Sequence, residues 1–187
     1  MQVKQEQVLS QLNNKIPPLI WVAGDETLLV QESCDEIRKF AQGQGFTERE
    51  VYTVQGSFDW NILLESGNSL SLFAEKKFID LRLNSAKLDD AGKKALHVYL
   101  EDPSPDNLLL ISSPKIEKAA TNTKWFKQID AQAFVVVIWP INLKDLAAWV
   151  KQRLKRHGIE ANEHAIEILC QRTEGNLLAT AQEIEKL

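Results

Sequence analysis

The sequence predicts an α/β fold, a mostly parallel five-stranded sheet flanked by helices, followed by a small helical domain. Three observations predict it. Five short apolar runs recur before residue 140, segments with helical periodicity alternate with them, and after Trp139-Pro140 only the helical periodicity continues. Strand–helix alternation of this kind gives a sheet covered by helices on both faces.

The five runs are Leu19–Ala23, Val51–Val54, Phe78–Leu83, Leu108–Ile111 and Phe134–Ile138. Three of them are almost continuously hydrophobic, as strands buried on both faces must be. Between the first two, Val30, Cys34, Ile37 and Ala41 recur at helical spacing, and Gly43 is expected to end that helix. Trp60, Leu63 and Leu64 mark a short helix; Ala91, Ala95, Leu96 and Tyr99 mark another, stopped by Asp102-Pro103. Trp125, Phe126 and Ile129 anchor the last helix of this part, with the aromatic pair expected to pack on the sheet. This places an α/β domain at residues 1–140 and a helical domain at 141–187. In the second, Leu143, Leu146, Ala147, Val150 and Leu154 form one stripe closed by His157-Gly158. A second helix carries Ala165, Ile166, Leu169 and Cys170. Gly175-Asn176 caps a third, with Leu177, Ala181, Ile184 and Leu187 on one face. The pattern still runs at Leu187, which points to a fragment of a longer protein.

Composition narrows the functional classes. Of the 187 residues, 44% are hydrophobic and 26% charged, an ordinary balance for a globular protein. No apolar run approaches a membrane span, and the start Met1-Gln2-Val3-Lys4-Gln5-Glu6 has no signal-peptide core, so a cytoplasmic protein without a membrane partner is expected. The two cysteines, Cys34 and Cys170, lie far apart on apolar helix faces and read as free thiols in a reducing compartment. A net charge of −4 argues against strong nucleic-acid binding by this chain alone, because such binding rests on clustered cations neutralising phosphates. Local basic patches remain available to an assembly.

The turn after the first strand is where α/β proteins commonly hold phosphate. A working loop needs glycines that open the backbone amides, a lysine for charge and a hydroxyl for magnesium. The chain offers Ala23-Gly24-Asp25-Glu26-Thr27-Leu28-Leu29: one glycine, no lysine, and two carboxylates where phosphate would sit. Like charge there opposes ATP, whereas the same acids suit a bare helix N-terminus, with Asp as cap. On the third strand Asp80 stands alone among apolar residues, without the neighbouring acid of a magnesium site; a salt-bridged or surface Asp is the reading. No catalytic, cofactor-binding or metal-binding residues are therefore assigned. His97, His157 and His164 lack metal-ligand spacing and read as surface or capping residues.

A different feature stands between two elements: Asn68-Ser69-Leu70-Ser71-Leu72-Phe73-Ala74, preceded by Gly67 and followed by Glu75-Lys76-Lys77. Loops on a surface are usually polar. Adjacent Leu72 and Phe73 are either the inward-tucked end of a core helix or an apolar plug offered to a partner's pocket.

Four segments in this order, Ala23–Ser33, Ser71-Leu72-Phe73-Ala74, Lys124-Trp125-Phe126 and Glu174-Gly175-Asn176-Leu177-Leu178-Ala179, resemble the delta subunit of the bacterial DNA polymerase III clamp loader, a family with the AAA+ fold. The resemblance covers almost the whole chain and implies a subunit without an ATP site. In an active relative an arginine would follow Gly-Asn; here the position holds Leu178. The resemblance implies that Leu70, Ser71, Leu72 and Phe73 form the element that enters a hydrophobic pocket on the ring-shaped sliding clamp (the beta subunit), helping the ring open for loading onto primed DNA. It also implies a third, helical collar domain, absent from this sequence, through which contacts with the gamma/tau and delta prime subunits are expected. No intrinsic catalysis is expected, although the family works within a nucleotidyltransferase holoenzyme.

Two rival functions stay open at the level of sequence. One is an NTPase or nucleotide kinase with an aberrant phosphate loop, for which Lys115 or Lys118 would have to supply the cation; the other is a generic AAA+ scaffold. The helix bearing Lys144, Lys151, Arg153, Lys155 and Arg156 either faces DNA in an assembly or is a solvated face whose cations favour the helix C-terminus.

Overall fold

A computed structural model describes residues 2–3, 7–68 and 76–187. The chain divides into two compact units, Met1–Ile138 and Trp139–Leu187.

The first unit is built on an all-parallel sheet in the order β1-β6-β2-β5-β4-β3. Its strands are β1 (Gln2–Val3), β2 (Leu19–Gly24), β3 (Phe46–Val54), β4 (Lys76–Leu83), β5 (Asn107–Ser113) and β6 (Phe134–Ile138). The five strands expected from the apolar runs are present, and the two-residue β1 adds an edge beside β6. Between them run α1 (Val8–Asn14), α2 (Thr27–Gly43), α3 (Asn61–Asn68), α4 (Asp90–Glu101), α5 (Lys118–Thr121) and α6 (Lys124–Gln132). Strand β2 lies centrally, with Trp21 opposite Ile111 on one side and Val135 on the other, and all six of its residues are buried. Neighbouring side chains on a strand point to opposite faces. One face of the sheet (Leu19, Trp21, Ile79, Leu81, Leu109, Ile111, Val135) packs against Trp60 and Leu63, against Leu96 and Tyr99 of α4, and against Phe126 and Ile129 of α6. Helix α2 lies along β2, β3 and β5, with Leu28, Leu29, Cys34, Ile37 and Ala41 buried.

Several details differ from the sequence expectation. Gly43 is the last residue of α2 rather than its stop; the left-handed residue that turns the chain into β3 is Gly45, at φ 90°. Strand β3 starts at Phe46, earlier than the apolar run, because Glu48, Arg49 and Glu50 belong to an edge strand with alternating exposure. The aromatic pair of α6 packs on the sheet as expected: Trp125 and Phe126 lie 6.3 and 6.1 Å from Trp21, ring centroid to ring centroid. Trp21 Nε1 is satisfied by donating to Ser113 Oγ at 2.8 Å.

The second unit holds α7 (Leu143–Arg156), α8 (Glu163–Arg172) and α9 (Leu177–Glu185). Leu146, Val150 and Leu154 of α7 are buried with Ile166, Leu177, Ala181 and Ile184. The apolar faces are narrower than the periodicity predicts, since Leu143 is 83% exposed and Leu187, past the end of α9, is 80% exposed. Asn176 caps α9 as expected, its side chain accepting from the Ala179 amide at 3.0 Å. Gly158 at φ 75° closes α7 after His157.

Candidate functional site

In a sheet of this order the crevice beyond the C-terminal ends of the strands, next to β2, is where a phosphate loop would work. The turn there has been put to other uses. The Gly24 position is set by packing: a Cβ on it would fall 2.6 Å from both the Cβ and the carbonyl oxygen of Ile138, its neighbour on β6. Asp25 does not cap α2, contrary to the expectation. The N-cap is Glu26, whose side chain makes no capping hydrogen bond, and Asp25 Oδ1 instead accepts the Lys115 backbone amide at 3.1 Å. The carboxylate thus ties the β2–α2 turn to the loop after β5. Lys115, one of the two candidates for the cation an NTPase would need, is held there by its main chain. The geometry is that of a structural turn bearing negative charge, which disfavours a polyphosphate.

Asp80 is salt-bridged and not at the surface. It is fully buried at 0% exposure, and its Oδ2 accepts from Arg38 Nε of α2 at 3.0 Å and from Arg49 Nη2 of β3 at 2.6 Å, with Arg82 Nη2 at 3.6 Å. Such a carboxylate is committed to charge pairing across three elements. Its location in mid-strand, between Ile79 and Leu81, keeps it away from the strand end where a metal-bound phosphate would lie.

Leu70, Ser71, Leu72 and Phe73, expected from the resemblance to form a clamp-binding element, lie outside the described residues. The frame on either side of them is described. The chain leaves β3 past Phe58 and Trp60, whose rings meet edge-on at 5.1 Å, and enters α3, where Leu63 is fully buried. It resumes in β4 with Lys76, whose Nζ sits 5.1 Å from the centroid of the Phe46 ring, and Lys77, whose side chain turns inward. Lys77 is only 4% exposed. Its Nζ lies 3.1 Å from Glu50 Oε1, 3.7 Å from Glu48 Oε1 and 3.4 Å from the carbonyl oxygen of Ser66. The other oxygen of Glu50 accepts from Tyr52 Oη at 2.9 Å and from Ser66 Oγ. Although burial pushes the Glu50 carboxyl up, the donors from Ser66, Lys77 and Tyr52 outweigh it and hold the group below the ordinary carboxylate range. Sequence reasoning missed this cluster. The signal was the period-two array Glu48-Glu50-Tyr52, which places two carboxylates and a phenol on one side of an edge strand.

In the second unit Lys144, Lys151, Lys155 and Arg156 of α7 are exposed, and Arg153 stacks on Trp149 at 5.2 Å. Arg153, Lys155 and Arg156 fall in the last turn, where cations oppose the helix dipole favourably. Leu178, where the resemblance implies the loss of an arginine, is exposed on the first turn of α9. His157 is the C-cap of α7, and His97 pairs along α4 with Glu101 at 3.3 Å.

Fold and site together define the class: a AAA+-type α/β unit followed by a small helical unit, with a phosphate loop that lacks its lysine. Solved structures agree on that fold. The chain is similar to the Bacillus subtilis DNA clamp loader delta protein with a TM-score of 0.69 at 18% identity, over 97% of this chain and 56% of that one. It is similar to the Thermotoga maritima RuvB Holliday junction branch migration motor with a TM-score of 0.55 at 14% identity, over 97% of this chain and 59% of that one. Sequence relatives are more specific. DNA polymerase III subunit delta of Escherichia coli (strain K12) is 32% identical over 182 residues, 97% of this chain and 53% of that protein. The subunit of the same name from Haemophilus influenzae is 30% identical over 185 residues, 97% of this chain and 54% of that protein. The family described as DNA polymerase III, delta subunit matches residues 21–138. The chain belongs to the DNA polymerase III delta subunit family. It spans about half the length of the curated relatives it matches.

Proposed function

We propose that this chain grips a sliding clamp through Leu70, Ser71, Leu72 and Phe73 and helps one interface of the ring open for loading onto primed DNA, without binding ATP itself. The observation that carries the reading is a pair of adjacent large apolar residues, Leu72 and Phe73, placed between α3 and β4 in a delta-family chain. Burying a Leu and a Phe in a partner's pocket contributes roughly 3–6 kcal/mol before ordering and association costs, enough for a hot spot. Ring opening further requires that the open or strained clamp be bound more tightly than the closed one, since equal affinity shifts nothing. The turn built on Gly24 and Asp25 supports assigning ATP chemistry to other subunits of a loader. Contacts with those subunits belong to the part of the family's length that this chain does not span. On this reading the protein works in the cytoplasm, on DNA held within the assembly.

The test is a clamp pull-down with Leu72 and Phe73 both changed to Ala. Binding is abolished while the circular dichroism spectrum and melting temperature stay those of the parent; recovery of the clamp by the double variant overturns the plug assignment. Titration with labelled ATP and magnesium separates the NTPase alternative, which demands binding in the micromolar range. A clamp-unloading assay on circular DNA separates the generic scaffold, which leaves the ring in place.

A further inference from the structure

Burying an ammonium group is expensive. A buried ion pair is often no more stabilising than apolar residues of similar volume, so its presence asks for a reason other than stability. Lys77 makes that question concrete because of where its partners lie in the chain. Ser66 stands just before the proposed clamp element and Lys77 just after it. The Lys77 ammonium reaches back to the Ser66 carbonyl at 3.4 Å. Both residues also converge on the same carboxylate, that of Glu50 on β3. Glu50 belongs to a strand that pairs with β4 along its length, and Tyr52 Oη steadies its second oxygen at 2.9 Å. The outgoing strand is fixed again by the Lys77 amide, which donates to Asp106 O at 2.8 Å.

Resting on the clamp-binding reading above, we propose that Glu50, Lys77 and Ser66 form a positioning device for the clamp element: they clasp its two stems and set the distance and direction from which it is presented. Neither Glu50 nor Lys77 touches the clamp. They act by reducing the conformational freedom that binding would otherwise have to remove, so their loss weakens binding without removing an intermolecular contact. An apolar residue at position 77 would fill the same space but would release the stem of α3.

Glu50→Gln, Lys77→Met and Lys77→Arg, made in the full chain, test this beside the Leu72/Phe73 double alanine variant. Clamp affinity is measured by titration calorimetry, fold by thermal melting, and local opening by hydrogen exchange. Glu50→Gln and Lys77→Met are expected to lower clamp affinity at least tenfold. Their amides at 67–76 should exchange faster than in the parent, with exchange in β2 and β5 unchanged, and Lys77→Arg should restore part of the affinity. If the double alanine variant loses the clamp but Glu50→Gln and Lys77→Met bind it like the parent, the positioning role falls and the plug stands. If the double alanine variant still binds, both fall. If Glu50→Gln and Lys77→Met lose affinity only in proportion to a loss of fold, with exchange rising equally in β2 and β5, the cluster is structural and the positioning role is overturned.

Discussion

The α-carbon of Gly24 faces Ile138 so closely that a methyl group on it would sit 2.6 Å from the Ile138 carbonyl oxygen. In a phosphate-binding relative of this fold, glycine at such a turn lets backbone amides approach a nucleotide. Here the neighbouring strand fills the space. Gly24→Ala is therefore expected to destabilise the domain by about 1–3 kcal/mol, the usual cost of overpacking against backbone that cannot move aside. Urea denaturation checks this. An unchanged midpoint would show that β2 and β6 separate easily and that the glycine is there for another reason.

Asp80 gives a second expected outcome. Asp80→Ala removes the one carboxylate oxygen that joins Arg38 to Arg49, leaving guanidinium groups from α2 and β3 facing each other. Breaking a buried pair generally costs about 3–5 kcal/mol. Arg49 and Arg82 are partly exposed and can turn to water, so about 2–3 kcal/mol is expected by chemical denaturation. Asp80 Oδ1 has no hydrogen-bond partner among the described residues, so Asp80→Asn can keep the volume but not the charge. It should fall between wild type and Asp80→Ala. Equal stability of all three proteins would mean that the arginines hold nothing together.

The Glu50 cluster predicts a pH dependence whose sign can be stated. Glu50 is faced by Lys77, Ser66 and Tyr52, with Glu48 also near Lys77. Its carboxyl titrates below the ordinary value of 4.5 in the folded chain. The unfolded chain therefore binds the proton more readily. The stability contributed by Glu50 is fully present above about pH 4.5 and is lost as pH falls through the lower folded value. Glu50→Gln should flatten the acid limb of a melting-temperature profile below that pH while leaving its neutral limb parallel to the parent's. A parallel acid limb as well would show that the carboxylate gains nothing from its partners.

What the sequence made legible follows from where the information sits. Strands β2, β5 and β6 are buried on both faces, so each announces itself as a nearly unbroken apolar run. The missing lysine and the paired acids after Gly24 are local chemistry and could be read directly. The first half of β3 could not, because Glu48, Arg49 and Glu50 look like a polar loop until β4 is set beside them. Only then does Lys77 answer the two glutamates and Asp80 answer the arginine. The role of Asp25 was misplaced for the same reason, since its partner is a backbone amide on Lys115, far along the chain. Periodicity also overstated the second unit: Leu143 satisfies the stripe of α7 yet stays exposed, because spacing reports a face but not what covers it.

The two thiols should separate cleanly by reactivity. Cys34 is buried in α2, and burial, opposed by Arg38 but aided by Asp80 and Asp35, pushes its thiol up to about 12. Cys170 on α8 is half-buried, and burial raises its thiol as well, but a reagent can reach it. The thiolate is the attacking species, and a reagent must also reach it. Iodoacetamide at pH 8 is therefore expected to modify Cys170 alone in the native protein, and both cysteines once the chain is denatured. Mass spectrometry of tryptic peptides reads the difference. Modification of Cys34 at a rate comparable to Cys170 would show that α2 lifts from the sheet under native conditions, carrying Arg38 away from Asp80, and the salt-bridged interior described for that face would have to be abandoned.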